Sequence, residues 1–126
     1  PHSVDVVPVM THAMLTARAR VLSNQGVDTL RGWQAQADQL APGQAAAQQA
    51  GTLYGAAMAA SRLRDTAQAR KRHAQLQRVV ADDAEAARQA RWLGVEIELA
   101  ARDRSRPQVL ALATSVAPTV AHHTSQ

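Results

Sequence analysis

Large apolar side chains are scarce in this chain, and the scarcity limits what it can fold into. There is no phenylalanine, one tyrosine and two tryptophans in 126 residues, while alanine dominates stretches such as Gln44 to Ala50 and Ala84 to Ala90. A core of such small groups closes only where backbones approach tightly, which helices with alanine and glycine faces achieve. Alanine is the strongest helix former, and the β-branched and aromatic runs that mark strands are missing. The expectation is therefore an all-α fold. The length suits one domain over residues 1–126, with extended or flexible tails expected at 1–7 and 118–126.

The same composition removes several kinds of chemistry. With no cysteine there is no disulfide, thiolate nucleophile or cysteine-type zinc site. No apolar run approaches the roughly 20 residues of a membrane span, so no span is expected. The formal net charge of +4 is unevenly placed. Arg18, Arg20 and Arg31 cancel Asp5, Asp28 and Asp38, which leaves the basic excess between Arg62 and Arg106.

Breakers divide the chain into six helical segments, near residues 8–23, 28–40, 44–63, 66–80, 84–101 and 106–117. Asn24-Gln25-Gly26 stops the first, Val27 or Asp28 starts the second, and Pro42-Gly43 precedes the third. Asp65, Asp82 or Asp83, and Ser105 suit N-cap positions, the last followed by Pro107 in a first turn that tolerates proline. Short loops favour three antiparallel hairpins. In the second segment Leu30, Trp33, Ala37 and Leu40 share one face, so that helix reads as one-sided. The fifth carries Ala86, Ala90, Leu93, Ile97 and Ala101 on one face and Trp92, Val95 and Leu99 on another, and is expected to pack on both. The third has a large stripe (Leu53, Tyr54, Ala57, Met58) and a small one (Gly51, Gly55, Ala59), the latter suited to close helix approach. The first sets Met10, Met14, Ala17 and Val21 against Leu15 and Leu22. Two-sided helices beginning near 8, 44 and 84 imply a repeat of about 36 to 40 residues, the mark of a helical solenoid. A plain six-helix bundle is the competing architecture.

Tyr54-Gly55-Ala56-Ala57-Met58 through Arg64-Asp65-Thr66-Ala67-Gln68-Ala69 resembles a tetratricopeptide repeat, with Ala69 where the second helix crosses the first. Trp92-Leu93-Gly94 resembles the start of the next repeat. The usual glycine before the second helix is missing, the aromatic in the middle of the first helix is replaced by alanine or isoleucine, and Ala81 stands where proline often closes a repeat. Together with the leading helix from His12 to Arg20 and the Trp33 helix, the segment from about Val9 to Ala113 resembles the C-terminal region of BepA-type periplasmic zinc metalloproteases. That resemblance implies a tetratricopeptide domain beside an HExxH peptidase domain, contacting outer-membrane proteins and their assembly machinery in the periplasm. The chain has no HExxH, so zinc is expected only in a parent's peptidase domain and no cofactor in this chain. The implied role is noncatalytic: positioning the peptidase and recruiting envelope proteins.

Residue by residue, nothing points to catalysis. His2, His12 and His73 share no ligand spacing, and His122-His123 lies in a polar tail. His73, among Ala69, Leu76 and Val80, reads as a boundary histidine of a packing face. Asp82-Asp83 suits helix capping, and Glu96 and Glu98 point about 160° apart on a helix. Three residues are candidates for a concave partner surface: Tyr54, Met58 and Arg62. Arg70, Lys71 and Arg78 fall within about 100° on the fourth helix and form a candidate basic stripe, with Arg72 pointing elsewhere. That stripe reads as a solvated face, a contact for an acidic protein, or a nucleic-acid contact. No aromatic stacking platform accompanies it, which favours protein over nucleic acid. The alternative function is a stand-alone helical adaptor or a basic nucleic-acid-associated protein.

Overall fold

A computed structural model describes residues 8–104 as five helices: α1 (Val9–Ser23), α2 (Val27–Asp38), α3 (Ala46–Arg62), α4 (Thr66–Val80) and α5 (Ala84–Arg104). There is no strand among the described residues. Five of the six expected segments are thus present, each within a few residues of its expected bounds. The segment expected at 106–117 with its Ser105 cap, the tails, and His2, His122 and His123 lie outside the described residues.

The joints follow the local chemistry. Asp65 caps α4 by accepting the Gln68 amide at 3.0 Å, and Asp83 accepts the Ala86 amide at 3.0 Å before α5. α3 ends differently. Arg64 adopts a positive φ of 67°, donating its amide to Ser61 at 3.0 Å, while Asp65 donates to Ala60 at 2.9 Å. These two bonds form a Schellman cap, which usually places glycine at the left-handed position. Here an arginine takes that position.

α3 is the centre of the molecule, packing on α1, α2, α4 and α5. From Ala50 to Ala60 every residue but Thr52 is buried. Its small stripe serves two neighbours. A Cβ at Gly51 would lie 3.1 Å from the Ala13 carbonyl of α1, and one at Gly55 would fall inside the Trp33 ring of α2. The GxxxG spacing therefore seats a backbone on one turn and an indole on the next. Leu30, Trp33 and Ala37 bury the inner face of α2, and Leu40 packs against the core just beyond the helix end.

Two expectations about faces need correction. Leu15 and Leu22 are exposed, so α1 is buried on one side only. On α5, Ala86, Ala90, Leu93 and Ile97 are buried, but Trp92, Val95 and Leu99 are 62%, 47% and 53% exposed. Periodicity records where apolar groups point; it does not supply the helix that covers them. α1 also reaches α5 across α3, a contact between first and third pairs that a strictly linear stack would not make. No helix among the described residues is long and apolar enough to cross a membrane.

Candidate functional site

The three residues of the candidate basic stripe have different surroundings. Arg70 turns toward α5 and makes a two-pronged ion pair with Glu98, at 2.8 and 2.7 Å. That hydrogen bonding raises the Arg70 pKa and lowers that of Glu98. Lys71, exposed, lies on the side of Asp38, whose pKa it helps to lower. Arg78 is exposed near the end of α4. One of the three charges on this arc, Arg70, is thus engaged by α5.

Arg72 points away from the stripe as expected, into a packed interface that its sequence did not announce. It is only 2% exposed. Its Nε donates to Gln34 Oε1 at 2.9 Å and its Nη2 to Asp38 Oδ1 at 2.5 Å, tying α4 to α2. Gln34 in turn donates to the Ala56 carbonyl of α3 at 2.6 Å. Hydrogen bonding from Arg72 is the main cause of the lowered Asp38 pKa. A buried guanidinium is tolerated only when partnered this fully, so Arg72 is a fastening between helices.

A second network joins α1, α3 and α5. Arg18 makes a bidentate pair with Glu96 at 2.7 and 2.8 Å and donates to Tyr54 Oη at 3.0 Å. Those bonds raise the Arg18 pKa, and burial raises that of Tyr54. Glu96 and Glu98, on opposite sides of α5, serve different helices. Tyr54 is 1% exposed, so this candidate for the partner surface is instead a core residue with a satisfied hydroxyl. His73, half-buried, hydrogen-bonds through Nε2 to the Ala90 carbonyl at 2.7 Å. Its ring lies over Gly94, where a Cβ would come within 2.7 Å of Cε1.

The other two surface candidates meet at one place. Met58 and Arg62 line a cleft of about 270 Å³ between α3 and α5, together with Arg64, Leu93, Glu96 and Ile97. Met58 is buried and contributes floor, while Arg62 is exposed. Sequence reasoning missed Arg64 because the left-handed cap that places it beside Arg62 carries no glycine to signal it. The exposed row Trp92, Val95 and Leu99 forms a ridge on α5. One flanking hollow is lined by Arg88, Gln89 and Arg91; a second, against α4, is lined by His73, Gln77 and Arg102. No group of three or more histidine and acidic side chains able to hold a metal ion comes together among the described residues. No family model matches the chain, and no curated protein or solved structure matches it.

Proposed function

We propose that this chain is a noncatalytic protein-interaction domain that engages a partner through the outer face of α5. One observation carries the reading: Trp92, Val95 and Leu99 form an apolar row at i, i+3 and i+7, each about half exposed or more among the described residues. In a molecule so poor in large apolar groups, leaving a tryptophan 62% exposed forgoes burial that its core could use. Tryptophan and arginine are the residues most enriched where binding energy concentrates, and Arg88 and Arg91 stand beside this tryptophan.

The fuller form of the proposal makes the domain a tetratricopeptide-like solenoid of three helical hairpins. Its parent would be a periplasmic zinc metalloprotease whose peptidase domain it positions and for which it recruits outer-membrane proteins and their assembly components. Support for that form is the sequence resemblance described above. An HExxH motif and a signal peptide upstream in the parent reading frame are its direct test.

The interaction itself is tested by placing a photo-crosslinking phenylalanine analogue at position 92 and, as control, at exposed Gln36, then irradiating cells that produce the full chain. Discrete protein adducts at 92 that are absent at 36 are expected. Identical adduct patterns at both positions would remove the observation on which the proposal rests.

A further inference from the structure

The cleft between α3 and α5 combines an apolar floor with a cationic rim, and the rim is held by an unusual backbone. Arg64 occupies a left-handed position where a Cβ is penalised and glycine is not. The cap would close as well with glycine, since its bonds come from the Arg64 and Asp65 amides to the Ser61 and Ala60 carbonyls. Glycine at this position would keep both bonds and lose only the side chain. What the arginine adds is a second guanidinium at the mouth of a cleft that already has Arg62.

The charges around that mouth are unbalanced. Glu96 is the one acidic group lining the cleft among the described residues, and Arg18 already holds both of its oxygens. The negative end of the α3 dipole is blunted too, because the carbonyls of Ala59, Ala60 and Ser61 accept bonds from the loop that follows. Arg62 and Arg64 therefore face the cleft with no acid of its lining left for them. Beneath them lie Met58, Leu93 and Ile97. At about 270 Å³ the cleft falls below the roughly 300–1,000 Å³ of small-molecule sites. One side chain of a macromolecule suits it better than a metabolite.

We infer that this cleft binds an acidic protein segment, whose apolar side chain enters over Leu93 and Ile97 while a neighbouring carboxylate pairs with Arg62 and Arg64. The inference rests on the protein-binding reading of the chain but uses a different face from the α5 ridge. Its failure would leave crosslinking from position 92 unchanged, whereas failure of the ridge would leave this cleft intact.

The test uses the full chain and a fluorescent peptide, blocked at both ends, in which leucine alternates with glutamate. A counterpart with lysine for glutamate and a single-stranded oligodeoxynucleotide serve as comparison probes. Wild type should bind the glutamate peptide in a salt-sensitive manner and in preference to both other probes. Arg64→Gly should weaken that binding roughly two- to fivefold, the scale of an exposed ion pair. The same substitution should raise the thermal midpoint by about 2–6 °C, because strain is relieved. Opposed changes in binding and stability are not what a purely structural arginine would give. Arg64→Lys should keep both the wild-type binding and the wild-type midpoint. The inference is overturned if Arg64→Gly binds as well as wild type, if the glutamate peptide does not bind, or if the lysine peptide or the oligonucleotide binds more tightly.

Discussion

Replacing glycine by alanine at two positions should move stability in opposite directions, although both glycines sit inside helices. Within a helix, glycine is about 0.5–1 kcal/mol less favourable than alanine because it has more backbone freedom to lose. At Gly32, in the interior of α2, an added Cβ meets nothing within 4 Å. Gly32→Ala should therefore realise that gain, about 0.5–1 kcal/mol. At Gly55 the same methyl would overlap Cζ3, Cε3 and Cη2 of Trp33. Trp33 is buried on the inner face of α2, against α3. Overpacking of this kind costs roughly 1–3 kcal/mol; at about 2–3 kcal/mol, where an overlap with three ring atoms belongs, it exceeds the propensity gain and leaves a net loss of about 1–2.5 kcal/mol. Urea titrations followed by circular dichroism measure both variants. Adding Trp33→Leu should make Gly55→Ala less damaging, with a coupling of about 1 kcal/mol or more, since the clashing ring is gone. A Gly55→Ala protein as stable as wild type would refute the reasoning, because it would mean that α2 and α3 do not approach as described.

Trp92→Ala should cost less than about 1 kcal/mol, whereas Leu93→Ala should cost about 2–5 kcal/mol; equal losses in denaturant titration would mean that the α5 ridge is covered within the chain. Folding stability should fall as pH drops below about 4. Asp38, Glu85 and Glu98 have pKa values lowered by their arginine partners in the folded state, so their contribution is present above the unfolded pKa and lost on protonation. Salt should shrink that difference, since Asp38 and Glu98 are exposed and Glu85 is only partly buried. A thermal midpoint unchanged between neutral pH and pH 3 would contradict the ion pairs.

Local signals were legible where a helix reports its own ends and its own stripe. Asp65 and Asp83 were readable as caps because the capped amide lies three residues away. The Gly51 and Gly55 pair was readable as a close-approach face, although nothing in the spacing told that one glycine meets α1 and the other Trp33. Met58 and Arg62 belong to the cleft, but Tyr54 does not, and Arg64 was invisible because left-handed caps are recognised by glycine. Nothing in the basic stripe announced the pairing of Arg70 with Glu98, because angle on one helix says nothing about an acid on another.

What the amino-acid sequence determined by itself was the all-helical class, five helix positions and the small-residue character of the central helix. These follow from propensity, capping and periodicity, which act over a few residues. Only the tertiary structure decided that Arg72 is buried against Gln34 and Asp38, that Arg18 clasps Glu96, 78 residues away, and that Trp92 faces outward. Those outcomes depend on which helix lies beside which. A side chain's burial and charge state are properties of that neighbour as much as of the residue.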